Sequence, residues 1–285
     1  MIFKPDTKRF LIAAATAVFA GAYAMTGAFA QTPANAVTLA PGQFKVGMEI
    51  TYPPFESYEG DKVVGSDPDF SRALAKQFGA NASFVDTRFS GLILGLNSRH
   101  YDAVISGMYV TPERCKQVAF ANPQYQIQDT LLTLKGNPKN LQSYADVAKN
   151  PDAKLAVMAG SVELGYARDS GVKDGQLLQV PDTTAQLQAV RAGRADAAAG
   201  TALTMKGLAS KAGPTVEAIP KFADDPKHTG YGALAFRPDD TDLRDAVNQQ
   251  LKAWLGTPDH LKTVAPFGFD KSNLPDKTTA QLCGG

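Results

Sequence analysis

The sequence has little of what most enzymes and nucleic-acid binders require. It holds three histidines (His100, His228 and His260), two cysteines and one tryptophan in 285 residues. The histidines form no pair at metal-binding spacing, and there is no phosphate-binding Gly loop, nucleophile elbow or dinucleotide fingerprint. Basic residues are not in excess, since 29 Lys and Arg stand against 28 Asp and Glu. We therefore expect no metal, no cofactor, no catalytic residue and no nucleic-acid partner.

Long hydrophobic runs are missing after the first thirty residues. In that first segment, Lys4, Lys8 and Arg9 precede an apolar stretch at 10–24, and Ala-Phe-Ala at 28–30 has the small-x-small pattern of a cleavage site. A membrane anchor is the alternative, but the stretch is shorter than the ~20 residues that a spanning helix needs. The segment predicts a signal peptide over 1–30, cleaved near Ala30, and an exported, periplasmic protein.

Export changes the interpretation of the two cysteines. An even number of cysteines in an oxidising compartment favours a disulfide. We expect Cys115 and Cys283 to form a bridge that ties the C-terminus to the body of the protein. The alternative is two unrelated thiols.

Short apolar strands alternate with amphipathic helices, which predicts an α/β fold. Apolar residues alternate at 44–50, and Asp-Pro at 67–68 opens a helix that ends before Gly79. Two strands without an accompanying helix, at 131–135 and 231–236, bracket a second α/β set. This pattern predicts two lobes joined by a two-strand hinge: lobe 1 at 31–134 and 233–285, lobe 2 at 135–232. Ligands of such folds bind in the crevice between the lobes.

The strongest candidate for a site follows the strand at 101–106. Thr111 and Pro112 begin a helix with Arg114 as its third residue. Free N–H groups at a helix start favour an anion, and the planar fork of Arg114 suits a carboxylate. The alternative is a plain cap at Thr111 and a solvated surface charge at Arg114.

Other strand ends carry aromatic or small residues. Tyr52-Pro-Pro-Phe55 follows the first strand and Phe89 opens a short helix, and each aromatic residue is either a wall of the site or part of the core. Ser161 follows a strand of the middle segment after Gly160. It offers a second set of amides to an anion, or it is only an N-cap.

Together these stretches resemble the periplasmic solute-binding proteins of polar amino-acid ABC importers, the family-3 extracellular binding proteins. YPPF (52–55), GSDPDFSRALAKQFG (65–79), FSGLILGLNSRHYDAVISGM (89–108), TPER (111–114) and RAGRADAA (191–198) occur in that family's order. The resemblance implies a type II two-lobe fold that closes on its ligand, with permease and ATPase subunits as partners of a monomer. It also implies a set of ligand-binding residues: Arg114 for the carboxylate with Thr111, Gly107 and Ser161, and Tyr52 or Phe55, Phe89 and Tyr109 for stacking.

One position departs from the family. Members that bind α-amino acids hold the ammonium with an aspartate just beyond the GR-x-DA strand, and Thr201 stands there. A narrower resemblance, to ectoine/hydroxyectoine-binding proteins, is carried by TPERC (111–115), the segment at 136–163 and AGTALT (199–204). It implies a cyclic zwitterion with a delocalised cation, which aromatic faces can hold. Tyr52 stands where those binders place an acidic residue.

The sequence therefore predicts a binding protein for ectoine or hydroxyectoine that is not an enzyme. A polar amino acid such as glutamine, histidine or arginine is the alternative ligand. A ligand-sensing role for a membrane receptor is a further alternative. A periplasmic enzyme resembling the cyclohexadienyl dehydratases is a less favoured one.

Overall fold

Two five-stranded sheets form the frame of the protein. The computed structural model describes residues 38–284, so the predicted signal peptide at 1–30 lies outside the described residues. Within the described part, none of the helices has both the length and the apolar character that crossing a membrane requires.

The strands are short and mostly buried, and alternation marks some of them in the sequence. In β1, for example, Phe44, Val46 and Met48 are fully buried at every second position. In chain order the strands are β1 (Gln43–Met48), β2 (Thr51–Tyr52), β3 (Glu56–Glu59), β4 (Lys62–Val64), β5 (Asn81–Asp86), β6 (Ala103–Val104), β7 (Ala119–Phe120), β8 (Tyr125–Ile127), β9 (Asp129–Leu134), β10 (Leu155–Met158), β11 (Leu177–Val180), β12 (Ala197–Thr201), β13 (Val216–Ala218), β14 (Gly230–Gly232) and β15 (Ala235–Phe236).

The helices cover the sheets with apolar faces. Leu243, Val247 and Leu251 lie on one face of the longest helix and are buried. In chain order the helices are α1 (Ser66–Gln77), α2 (Leu92–Asn97), α3 (Pro112–Cys115), α4 (Tyr144–Lys149), α5 (Glu163–Asp169), α6 (Thr183–Arg191), α7 (Ala202–Ala212), α8 (Thr241–Trp254), α9 (Pro258–Val264) and α10 (Thr279–Leu282).

The two sheets share one plan. Sheet 1 has the order β5-β1-β6-β15-β7, with β5, β1 and β6 parallel and β15 antiparallel to its neighbours. Sheet 2 has the order β11-β10-β12-β9-β13, with β11, β10 and β12 parallel and β9 antiparallel to its neighbours. We refer to the parts that carry sheets 1 and 2 as lobe 1 and lobe 2. The predicted α/β, type II two-lobe fold is confirmed.

The chain crosses between the lobes at a separate antiparallel pair, β8 with β14. The expectation that 131–135 forms a hinge strand is wrong, because β9 lies inside sheet 2 between β12 and β13. The run at 231–236 is likewise two strands, β14 in the crossing pair and β15 in sheet 1. The lobe boundaries themselves stay a prediction, and we propose the first one near Gln128 instead of 134.

A disulfide joins Cys115 at the end of α3 to Cys283, and the two cysteines are 168 residues apart in the chain. Both side chains pack against the hydrophobic cluster that includes Tyr52 and Phe89. The bridge expected from the cysteine count is present, and it fixes the C-terminal segment beside α3.

Candidate ligand-binding site

A small cavity lies between loops that follow strands of both sheets. Loops after β1, β5 and β6 supply one side, and the loop after β10 supplies the other, so the carboxyl ends of parallel strands face the cavity as expected for this fold. Its lining consists of Tyr52, Phe89, Gly107, Tyr109, Arg114, Met158, Ser161, Val162 and Glu163.

Arg114 is held in this cavity and is only 9% exposed. Its guanidinium donates to the carbonyl of Tyr109 at 2.8 Å and to that of Gly160 at 3.1 Å, and it lies 5.3 Å from the centre of the Phe89 ring. Burial lowers its pKa from the ordinary value. The alternative of a solvated surface charge is therefore wrong.

Thr111 acts as a cap, since its hydroxyl accepts a hydrogen bond from the backbone N–H of Arg114 at 3.3 Å. It does not line the cavity, and contact with a ligand stays a prediction. The helix it caps, α3, has four residues, so its dipole contributes little to anion binding. The guanidinium of Arg114 is therefore the stronger candidate for binding an anion in this cavity.

Ser161 lies at the cavity and does not cap α5, whose first turn has no side-chain cap. Its hydroxyl, that of Tyr109 and Oε2 of Glu163 are buried without a hydrogen-bond partner. Buried polar atoms are satisfied in the great majority of cases. Three unsatisfied atoms around one cavity therefore indicate a site that is built for a polar molecule.

Tyr52 stands over Gly107, where φ is +58° and an added Cβ would lie 2.8 Å from the tyrosine ring. Its hydroxyl lies 2.5 Å from that of Thr201, which donates in turn to Thr204 at 3.1 Å. Thr201 is thus buried behind Tyr52 and is not part of the cavity wall.

Phe55 also lies behind Tyr52 and not at the cavity. Its ring stacks on Tyr52 with centroids 5.2 Å apart and meets the edge of Phe269 at 5.5 Å. Of the two aromatic residues in the YPPF segment, Tyr52 reaches the cavity and Phe55 supports it.

Sequence reasoning missed two acidic residues of lobe 2. Glu163 begins α5 and lines the cavity, and Asp129 begins β9 opposite Thr201 of β12. Burial raises the pKa of both carboxyl groups, and for Asp129 the charge of Glu163 raises it further. Glu163 follows Gly160-Ser-Val directly, and this adjacency was the available signal. Asp129 is a single charge before an apolar strand and gave none.

A polar network supports the cavity from lobe 1. The hydroxyl of Ser106 donates to Glu56 at 2.6 Å and accepts from the N–H of Glu49 at 2.9 Å, and the N–H of Gly107 donates to Asp67 at 3.1 Å. Burial raises the pKa of Asp67 to about 6 and that of Glu56 well above its ordinary value. One edge of the site therefore rests on two buried carboxyl groups.

Several contacts join the lobes near the cavity. Arg88 forms an ion pair with Asp182, and the hydroxyl of Thr183 donates to the carbonyl of Thr51. Gly160 approaches Ser90 so closely that an added Cβ would lie 3.0 Å from its Cα. The lobes are thus in contact at these three places.

A larger cavity lies in lobe 1, between α1 and the C-terminal segment. Its lining includes the aromatic residues Phe70, Trp254 and Phe269, together with polar residues, and does not include Arg114. In the described range 38–284, no group of three or more His, Cys, Asp or Glu residues is placed to hold a metal ion.

Comparison with known families decides the class. Residues 44–258 match the profile of the bacterial extracellular solute-binding proteins, family 3. The chain belongs to this family. The membership accounts for the two-lobe fold and for a cavity between the lobes, and it makes the chain a solute-binding protein.

Individual family members give finer comparisons. The probable amino-acid ABC transporter periplasmic-binding protein y4tE of Sinorhizobium fredii is 32% identical, covering 98% of this chain and 96% of its own. The ABC transporter arginine-binding protein 1 of Escherichia coli is 33% identical over 73% of this chain and 83% of its own. The crystal structure of EhuB in complex with hydroxyectoine has a TM-score of 0.79 at 32% identity, covering 86% of this chain and 95% of EhuB.

Proposed function

We propose that this solute-binding protein captures a small carboxylate-bearing zwitterion in the periplasm and delivers it to the permease and ATPase subunits of an amino-acid-type ABC importer. The observation that carries the proposal is the cavity itself, where Arg114 of lobe 1 faces unsatisfied polar atoms of lobe 2. A planar guanidinium suits a carboxylate, and closure of the lobes gives the ligand contacts from both sides. The chain acts as a monomer after removal of its signal peptide near Ala30.

The ligand that we propose first is ectoine or hydroxyectoine. Tyr52, Phe89 and Tyr109 line the cavity, and aromatic faces stabilise a delocalised cation such as an amidinium. The hydroxyl of Thr201 is already bonded to Tyr52, so an α-ammonium finds no acceptor at the position where many family members have aspartate. The structural likeness to EhuB, whose crystal structure contains hydroxyectoine, supports the same choice.

A polar amino acid is the second candidate. The buried carboxyl group of Glu163 lines the cavity and is an acceptor that the sequence did not reveal. The likeness to an arginine-binding protein of Escherichia coli favours the same class of ligand.

A thermal-shift panel tests the ligand. Ectoine, hydroxyectoine, arginine, glutamine, histidine and glutamate are added to the purified protein, since a ligand at 100 times its dissociation constant adds about 2.7 kcal/mol to stability. The largest shift should come from ectoine or hydroxyectoine. A large shift with an amino acid and none with ectoine would reject the first ligand and favour the second.

We further propose that the protein binds without chemical turnover. Glu163 is the one carboxyl group in the cavity lining, so it is the group that an enzyme of this fold would use as a general acid. Incubation with prephenate or arogenate is the direct test. Turnover by the wild type that is lost in Glu163→Gln would show that the protein is a dehydratase and would contradict the proposal.

A further inference from the structure

Two carboxyl groups are buried on the lobe 2 side of the cavity. Glu163 is 5% exposed and lines the cavity, and Asp129 is 2% exposed. Asp129 lies opposite Thr201 in the antiparallel pair of β9 and β12. The amino end of β9 and the carboxyl end of β12 therefore share the edge of sheet 2 that faces lobe 1.

Neither carboxyl group is fully paired. Oε2 of Glu163 and Oδ1 of Asp129 have no hydrogen-bond partner, while Oδ2 of Asp129 accepts from the hydroxyl of Tyr144 at 2.9 Å. Within residues 38–284, no lysine, arginine or histidine lies within 4.0 Å of either carboxylate. The guanidinium of Arg114 attracts the carboxyl group of Glu163 across the cavity and lowers its pKa, but the two groups form no ion pair. Buried carboxyl groups are ordinarily paired or hydrogen-bonded, so both carboxyl groups lack a direct cationic partner.

We propose that Glu163 holds the positive end of the bound solute, with Asp129 behind it as a second carboxyl group, while Arg114 holds the negative end. The inference rests on the proposed function, and it adds the group that binds the cationic end of the solute. Thr201 is bonded to Tyr52 and does not take this role. The solute thus spans the cavity from the guanidinium of lobe 1 to the carboxylate of lobe 2.

Charge balance extends the proposal to the class of solute. A neutral zwitterion leaves the site neutral when Arg114 and Glu163 are both ionised. A solute with a second positive group, such as arginine, requires Asp129 to ionise as well. Its binding therefore releases more protons than the binding of ectoine, and calorimetry in phosphate and Tris buffers measures this difference.

The test compares isosteric variants by calorimetry. Glu163→Gln removes the charge and keeps the shape, so it should weaken binding by roughly thirtyfold or more for whichever of ectoine, hydroxyectoine, arginine or glutamine the wild type binds. Glu163→Asp, which keeps the charge, should retain more affinity than Glu163→Gln. Glu113→Gln is the matched control, because Glu113 is exposed on α3 and does not line the cavity.

Stability without ligand gives a second measurement. Glu163→Gln removes a buried carboxylate that lacks a direct partner. The ligand-free variant should therefore have a melting temperature at pH 8 equal to or above that of the ligand-free wild type. Equal affinity of Glu163→Gln and wild type would overturn the inference and leave the proposed function intact. A wild type that binds none of the six solutes of the thermal-shift panel would overturn both.

Discussion

The hydroxyl groups of Tyr52 and Thr201 lie 2.5 Å apart, and the two residues belong to different lobes. Tyr52 donates to Thr201, because Thr201 donates onward to Thr204 at 3.1 Å. The contact is buried and adjoins the cavity, so it forms only when the lobes are closed. We therefore expect the hydroxyl of Thr201 to stabilise closure of the lobes.

Tyr52→Phe removes this bond and leaves the ring in place. Thr201 keeps Thr204 as a partner, so folding stability should change little. Affinity should fall by roughly fivefold, in line with a net contribution of about 1 kcal/mol per hydrogen bond. Calorimetry with the solute found in the panel measures the effect. Tyr58→Phe is the control, since Tyr58 is 51% exposed, and an equal loss in both variants would contradict the assignment.

Arg114→Ala should abolish most of the binding. The ligand carboxylate would be buried without its partner, at a cost on the order of 2–5 kcal/mol in binding free energy. Arg114→Lys should recover only part of the loss, because an ammonium lacks the planar fork. Arg194→Ala, an exposed arginine of lobe 2, serves as the control. Wild-type affinity in Arg114→Ala would show that Arg114 does not bind the carboxylate of the ligand.

Gly160→Ala should hinder closure. Gly160 has φ +83°, and a Cβ would lie 3.0 Å from the Cα of Ser90 in the opposite lobe. We expect affinity to fall roughly tenfold, about 1.4 kcal/mol, and small-angle scattering to show less compaction with ligand. Gly165→Ala, in α5 with no neighbour within 4 Å, should bind as the wild type. Normal compaction in Gly160→Ala would refute this reading of the contact.

Asp67 should make stability depend on pH. Its folded pKa of about 6 lies above its ordinary value of 3.8, so the folded state binds more protons between these values. Its contribution to stability is fully present below pH 4 and is lost as the pH rises through 6, which amounts to about 3 kcal/mol. In denaturant titrations, the free energy of unfolding of Asp67→Asn should rise by about 3 kcal/mol relative to that of the wild type between pH 4 and 7. If the free energies of unfolding of the wild type and Asp67→Asn change in parallel with pH, Asp67 does not titrate in this range.

Loss of the disulfide should destabilise the fold. The bridge from Cys115 to Cys283 closes a loop of 168 residues, and removing a native bridge typically costs about 2–5 kcal/mol. The double variant Cys115→Ala/Cys283→Ala should unfold at lower denaturant concentration, and reduced wild type should match it. If the reducing agent lowers the stability of the double variant equally, the bridge is not the cause.

Local patterns predicted most elements but not their neighbours in space. The alternation at 44–50 and the helical spacing of Leu243, Val247 and Leu251 each have one physical explanation, and β1 and α8 confirmed them. The run at 131–135 has two possible explanations, because a hinge strand and a strand in the centre of a buried sheet are both apolar on each face. The neighbours β12 and β13 decide between them, and they are distant in sequence.

The residues of the candidate site likewise include some that local sequence patterns predict and some that they do not. Arg114, Tyr109 and Ser161 could be predicted because each follows a strand in a recognisable turn or capped helix. For Glu163 the one signal was its position directly after Gly160-Ser-Val. Asp129 could not be predicted, since a lone carboxylate beside a strand is normally solvated. Only the pairing of β9 with β12 and the position of α5 reveal that both are buried near the cavity.

The position of β15 has a consequence for the order in which the two sheets can form. Ala235 pairs with both Val104 of β6 and Phe120 of β7, so β15 joins two strands that do not pair directly. All strands of sheet 2 lie within residues 129–218. A chain that emerges N-terminus first can therefore complete sheet 2 before sheet 1. A fragment that ends at residue 229 would contain all of sheet 2, whereas β7 would be left without its partner in sheet 1.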